Sequence, residues 1–298
     1  MSSLDGNEHQ EDQISSAPLL EKTQKCDPAP YLRKRYVLLP IVSIVLIAFE
    51  SVNRDGVCRQ PSVRREWRTL SRAGRIEYLR AVKYLSSIRS TGCNGTVHDE
   101  FAYTHRNIGG FRIEAASFLR WHRYFLHTFE KTLKYWDWTL DSANLTQAPV
   151  WSTTDGFGGN GNRHCVQDGP FAGIQVQYFE EAWEPHCLSR SLLPHQYLGF
   201  CGLRVTIPLF VRGYFLHRTA PNEPFFFLHH GQLDRLWRKW QSTNLNERGM
   251  DYNDPSRQSL SVTASLTDQI EIAGLAAYVP VRSLMIVNRG ELCYEYSN

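Results

Sequence analysis

Two histidine-bearing segments constrain the fold of this chain more than any other feature. FLRWHRYFLHTFE covers residues 118–130, and PNEPFFFLHHGQLDRLW covers residues 221–237. In each, a histidine stands among large aromatic residues, and an acidic residue follows within a few helical turns. Neutral imidazole is a preferred ligand of copper, zinc and iron, and it usually needs a hydrogen-bond acceptor that fixes its tautomer. Two such helices facing each other predict an apolar metal pocket.

The same segments resemble the two copper motifs of the tyrosinase family, the type-3 copper proteins that include catechol oxidases and haemocyanins. The first motif is matched by Phe118-Leu119, Trp121-His122-Arg123 and Glu130. The second is matched by Pro224, Phe226, His229-His230, Asp234 and Trp237, with Glu223 where the family usually has Asp. Five further stretches look like fungal members: CRQPSVRREWRTLS (58–71), YWDWTLDSAN (135–144), GFGGNG (156–161), EPHCLSR (184–190) and LCYEY (292–296).

This resemblance implies a mainly α fold, with a type-3 copper four-helix bundle core and long irregular loops, over a copper domain at residues 56–298. It also implies two copper ions, each held by three histidines, that bind dioxygen and oxidise a small phenolic or tyrosine-containing substrate. Either ortho-hydroxylation of a monophenol or oxidation of a diphenol to a quinone is consistent with it. Because oxygen carriers share the motifs, the fold alone does not fix the reaction.

Hydrophobic periodicity predicts helices over Pro61–Ser90, about Glu114–Lys134 and about Glu223–Trp240, and a partly β tail from Ser259. The glycines of GFGGNG match a dinucleotide-binding pattern. They follow no apolar strand and open no helix, so we interpret this stretch as a surface loop.

Three of the six expected ligand positions hold a histidine. His122 belongs to the Trp-His-Arg triplet, His230 is the second of the histidine pair, and His105 lies upstream where a first ligand is expected. Five residues are expected beside the metal or lining its pocket: His229, Asp234, Glu130, Phe226 and Phe227. Asp234 and Glu130 would orient imidazoles, although ion pairs with Arg238 and Lys134 at i+4 explain them equally well.

The other three ligand positions lack histidine. Arg112, Ile113 and Glu114 stand where the middle ligand of the first site is expected, and no two histidines are four residues apart. Segments that the family carries after Lys134 and between Arg190 and Gly213 are missing. This pattern indicates dropped or mistranslated exons, or a decayed homologue. A non-catalytic relative, acting as a structural or binding module, is therefore the alternative hypothesis.

The N-terminal region predicts a membrane anchor. Residues 1–35 are polar and are interpreted as a disordered cytosolic tail. An apolar run at 36–49 follows Arg33-Lys34-Arg35 and would span about 21 Å as a helix, short of the roughly 30 Å bilayer core. We interpret 36–52 as an uncleaved signal anchor, with a cleaved signal peptide as the alternative. The basic flank predicts a type II protein with its bulk in the secretory lumen or outside the cell.

The cysteines and the glycosylation sequons agree with that placement. Six cysteines follow the anchor, an even number that permits disulfides in any of 15 pairings: Cys58, Cys93, Cys165, Cys187, Cys201 and Cys293. Asn94 and Asn144 begin glycosylation sequons. The net charge of +3 comes from scattered basic residues, which predicts no nucleic-acid partner.

Overall fold

A computed structural model describes residues 56, 58–108, 116–130, 132–160, 165–192, 203–252, 263–290 and 292–297. Helices dominate these residues, as expected: α1 Arg72–Leu85, α2 Val97–Asn107, α3 Phe118–Phe129, α4 Leu203–Val211, α5 Phe226–Ser242 and α6 Leu245–Arg248. The strands are short: β1 Ser62–Arg64, β2 Gln175–Phe179, β3 Ala182–Cys187, β4 Gln269–Ile270, β5 Val279–Pro280 and β6 Tyr294–Tyr296. Single 3-10 turns link them at Trp67–Thr69, Trp138–Asp141, Leu145–Gln147, Pro149–Trp151, Gly213–Leu216, Ala220–Asn222 and Val281–Leu284.

The first predicted helix is wrong at its N-terminal end. Ser62–Arg64 forms β1, which pairs in parallel with β6 near the C-terminus. The helix begins only at Arg72, where the Ser71 hydroxyl accepts a hydrogen bond from the Gly74 amide at 3.1 Å. The partner strand of residues 62–64 is distant in sequence, so periodicity within the segment could not reveal it.

The helix α3 lies within its predicted range, α5 begins within its own and ends two residues past it at Ser242, and the two helices pack against each other. Their aromatic side chains form the centre of the core with α2: the Trp121 and Phe125 rings stack 4.7 Å apart, and Phe227 packs edge-on against Phe101 at 5.7 Å. Each of these four side chains is at most 5% exposed. Offset and edge-to-face ring pairs are the favoured arrangements of such aromatics.

Two disulfides cross-link segments that lie outside the helices. Cys58–Cys293 lies next to the β1–β6 pair, and Cys165–Cys187 joins the end of β3 to the loop before β2. Cys93 is also disulfide-bonded. The expectation of disulfides is therefore confirmed for these five cysteines.

Two predictions fall mainly outside the described residues. The apolar run at 36–49 and the tail before it lie there, and so does residue 161 of the glycine-rich stretch. The described part of that stretch, 156–160, is a loop as predicted, but the prediction of a surface loop is wrong because residues 156–158 are buried, with Phe157 in the core. Within the described ranges, no helix is both long enough and apolar enough to cross a bilayer.

Candidate metal centre

Three helices bring three of the predicted histidines together. His105 lies in the last turn of α2, His122 in the middle of α3, and His230 in the first half of α5. The ring centroids of His105 and His122 are 5.5 Å apart, and those of His122 and His230 are 4.4 Å apart. All three side chains are buried. Residues from distant parts of the sequence thus meet at one place inside the helical core.

Backbone carbonyls fix the tautomers of His105 and His122. The Nδ1 atom of His105 lies 2.6 Å from the Arg218 carbonyl, and that of His122 lies 2.8 Å from the Phe118 carbonyl. Because a carbonyl only accepts, Nδ1 carries the proton in each ring and Nε2 keeps its lone pair. Burial lowers the pKa of His105 to about 4, so this imidazole is neutral at physiological pH.

The two Nε2 atoms lie 3.4 Å apart. With both rings in this tautomer, each Nε2 is the acceptor nitrogen of its ring, the form of imidazole that binds a metal ion. Two imidazoles bound to one tetrahedral ion, with metal–nitrogen bonds of about 2.0–2.1 Å, have their nitrogens about 3.3 Å apart. The His105–His122 pair therefore fits a shared metal ion, and imidazole nitrogen suits copper.

The described residues supply only part of a metal-binding set. Among them, no group of three or more His, Cys, Asp or Glu is arranged to hold an ion. His230 is adjacent, but its ring stacks on His122 with an interplanar angle of 8° rather than completing the pair. The positions 112–114, where the resemblance places a further ligand, lie outside the described residues.

The Phe226 ring lies beside two of these histidines. Its ring centroid lies 4.1 Å from that of His230 and 5.2 Å from that of His105. The prediction for Phe227 is wrong: its ring stacks on Phe129 at 3.5 Å, inside the core. Successive residues of a helix are about 100° apart, so only one of these two can face the histidines.

The interpretation of Asp234 as an orienting group for an imidazole is also wrong. Its carboxylate accepts from Arg123 Nε at 2.6 Å, from Arg64 Nη1 at 3.3 Å, and from the Tyr294 and Tyr296 hydroxyls at 2.5 Å each. Burial by itself raises the pKa of this carboxyl, but the two arginines and the two tyrosine hydroxyls together outweigh burial and hold the pKa below its usual value. Asp234 is thus ionised and has a structural role. Its ion-pair partners are Arg123 and Arg64, whereas Arg238 was the expected partner.

Glu130 and His229 have structural contacts. Glu130 is the C-cap of α3 and lies 4.0 Å from Lys134, so the expected ion pair is present, but Lys134 lies beyond the end of the helix and the two do not share a helix face. His229 packs against Trp138 with ring centroids 4.8 Å apart, beside the site as expected. Burial lowers the pKa of His229 to about 3, so its ring is neutral.

Sequence reasoning missed the buried ion pair that holds the segment before α5. Glu223 accepts from Arg190 Nε at 2.8 Å and from Arg190 Nη2 at 2.7 Å, and both side chains are at most 1% exposed. Asn222 donates to the Tyr178 carbonyl at 2.7 Å. The same segment carries the Arg218 carbonyl that orients His105. The available signal in the sequence was Glu223, where the family usually has Asp. A two-bond pair between a guanidinium and a carboxylate needs an acidic side chain of the right length.

Comparison with known proteins identifies the family. The tyrosinase family profile, described as the common central domain of tyrosinase, matches residues 95–204 and 194–243. The chain is 36% identical to tyrosinase ustQ of Aspergillus flavus over 318 aligned positions, covering 88% of this chain and 89% of that protein. It is 32% identical to the tyrosinase-like protein phomQ2 of Diaporthe leptostromiformis, covering 88% and 80%.

Because the first alignment is longer than the 298 residues of this chain, that relative contains residues with no counterpart here. Among solved structures, a polyphenol oxidase from Thermothelomyces thermophila shares the fold, with a TM-score of 0.70 at 22% identity over 80% of this chain and 89% of that one. With the histidine motifs, the family profile and relatives above 30% identity in agreement, this chain belongs to the tyrosinase family.

Proposed function

We propose that this protein is a copper-dependent oxidase of phenolic rings, with a four-helix bundle as its copper-binding core. The observation that carries the proposal is the pair of buried imidazoles, His105 and His122, whose Nε2 atoms lie 3.4 Å apart. His105 and His122 would hold a copper ion, and His230 would contribute from α5. Copper supplies the redox chemistry with dioxygen that a protein side chain lacks.

The chain's own residues would prepare the site. The carbonyls of Arg218 and Phe118 keep two nitrogens free of protons and aimed at the ion. Phe226 and Phe118 place flat apolar faces against the histidines, with the Phe118 ring 4.4 Å from that of His122. Such walls exclude water and favour a flat aromatic substrate.

The substrate we propose is a small phenol or a tyrosine in a peptide, in fungal secondary metabolism. The related proteins named above are a tyrosinase and a tyrosinase-like protein of fungi. We also propose that residues 36–52 anchor the chain as a type II membrane protein and that Asn94 and Asn144 carry glycans. Both asparagines are exposed in the structure, which leaves room for a sugar.

Copper content and oxygen uptake test the proposal. The full chain, produced in a eukaryotic secretory host and supplied with copper, should bind at least one ion and consume oxygen with a simple catechol. His122→Ala should lose both properties. His186→Ala, on the β2–β3 hairpin, should keep both.

The alternative function is a non-catalytic tyrosinase-like module. It is favoured by the incomplete ligand set of the described residues and by the absence of two histidines four apart. A correctly folded chain that binds no copper and consumes no oxygen would overturn the enzyme proposal in favour of this alternative.

A further inference from the structure

An apolar patch on α5 and α6 has no role in the metal centre. We define the α5–α6 patch as the four exposed side chains Leu236, Trp240, Leu245 and Met250, which are 40%, 42%, 44% and 48% exposed. Single exposed apolar residues are normal on a protein surface. Here, four of the ten large, well-exposed apolar side chains among the described residues fall within 15 consecutive positions. Concentrated apolar surface indicates an interaction site.

Basic groups surround this patch. The Arg248 guanidinium lies 5.0 Å from the centre of the Trp240 ring, and Lys239 is exposed next to it. Between residues 236 and 250, Glu247 is the only acidic residue. A surface that combines tryptophan and leucine with lysine and arginine suits the bilayer interface, where rings lie at headgroup level and cations meet phosphates.

The chain before the folded domain is short. Eight residues, 50–57, separate the end of the apolar run at Phe49 from Cys58. Fully extended, this link reaches no more than about 32 Å. Cys58 is fixed to the folded domain by its disulfide to Cys293 and by its amide, which donates to the Asn288 carbonyl at 3.1 Å. If the apolar run lies in a membrane, the surface around Cys58 stays close to that membrane.

Contacts within the fold connect the residues next to the patch with Cys58. Gln241, next to Trp240, donates to the Met285 carbonyl at 2.9 Å. The Cδ1 atom of Ile286 lies 3.4 Å from the position of a β-carbon on Gly249, next to Met250. Asn288, which holds Cys58, follows Met285 by only three residues, a distance of at most about 11 Å. The Met250 end of the α5–α6 patch is therefore close in space to Cys58, where the link enters the domain.

We propose that the α5–α6 patch rests on the lipid bilayer surface, with Trp240 at headgroup level and Lys239 and Arg248 against lipid phosphates. The inference rests on the anchor proposed at residues 36–52 and adds a second, peripheral contact to it. It sets the orientation of the copper domain on the membrane. The occupant is a lipid surface rather than a second copy of the chain, because the short link holds the patch at the bilayer.

Tryptophan quenching by brominated lipid tests this contact. The full chain is reconstituted into vesicles of phosphatidylcholine and phosphatidylserine, with or without bromine on the acyl chains. Because the first tryptophan is Trp67, the signal reports only on the folded domain and not on the anchor. Trp240→Phe should reduce the quenched part of the fluorescence by about threefold or more. Trp183→Phe, which removes a half-buried ring on the β2–β3 hairpin, should leave it unchanged.

The outcomes separate the two proposals. A chain that does not float with the vesicles lacks the anchor, and both ideas then fall. A chain that floats while showing no quenching at Trp240 keeps the anchor and overturns the patch contact. Cross-linking between copies through Lys239, together with an unquenched Trp240, would show that a second chain covers the patch, and this also overturns the inference.

Discussion

At the residue scale, the buried charged side chains form ion pairs with residues that are distant in sequence rather than with neighbours on the same helix. Arg64, Arg123 and Arg190 are completely buried, and each is paired with a carboxylate. Arg123 belongs to the same triplet as His122, yet its Nη1 atom donates to the Leu284 and Met285 carbonyls at 3.0 and 2.9 Å. The histidine motif therefore carries a structural residue beside the proposed ligand.

Replacing Asp234 should test this network. Asp234→Asn keeps the shape but leaves two buried guanidinium groups without their charge partner, so we expect a loss of about 3–5 kcal/mol in the free energy of unfolding. Urea unfolding at neutral pH measures it. Glu181→Gln, whose side chain is 80% exposed, is the control and should show no measurable change.

The pH dependence of unfolding gives a second comparison of the wild-type chain with Asp234→Asn. The folded pKa of Asp234 is lowered, so its stabilisation is present at neutral pH and should disappear as the pH falls below about 4. The difference between the wild-type chain and Asp234→Asn should shrink over that range. A difference that stays constant to pH 2 would contradict the assignment.

At the element scale, the position of α5 depends on close backbone contact. The segment at Lys134 and Tyr135 crosses α5 at Gly231, directly after the histidine pair. A β-carbon on Gly231 would lie 2.9 Å from the Lys134 carbonyl oxygen and 3.3 Å from the Tyr135 Cβ. This contact sets how deeply His230 enters the core.

Two glycine substitutions separate packing from helix propensity. Gly231→Ala should destabilise the fold by about 1–3 kcal/mol, because the new methyl group meets backbone. Gly74→Ala, in α1, meets only the Ser71 hydroxyl at 3.4 Å and should stabilise by about 0.5–1 kcal/mol. Thermal unfolding of both variants gives the comparison. Equal effects of the same sign would show that the crossing at Gly231 is not tight.

At the scale of the whole molecule, the two ends of the domain are joined to each other. The β1–β6 pair, the Cys58–Cys293 disulfide and the Arg64–Asp234 ion pair all connect the start of the domain with its C-terminal part or with α5. The Tyr135 hydroxyl adds a bond to the Ser297 carbonyl at 3.1 Å. Both ends of the domain are thus connected to each other and, through Asp234, to the helix that carries His230.

Removal of each disulfide should cost according to the length of chain it closes. The chain-entropy argument gives about 5 kcal/mol for Cys58–Cys293, with a sequence separation of 235, and about 3 kcal/mol for Cys165–Cys187, with a separation of 22. Paired Cys→Ala variants, unfolded in urea, measure both losses. A larger loss for the shorter loop would show that strain or local packing, not chain entropy, dominates.

The sequence by itself determined the family, the dominance of helices, the positions of α3 and of most of α5, and the meeting of His105, His122 and His230. These features follow from local patterns, because the residues that form one helix face or one motif lie close together in the sequence. Only the tertiary structure decided that Asp234 binds arginines, that Phe227 belongs to the core, and that residues 62–64 form a strand. Each of these features depends on a partner more than 60 residues away or on which helix face meets the core. Periodicity within a short segment does not predict such partners.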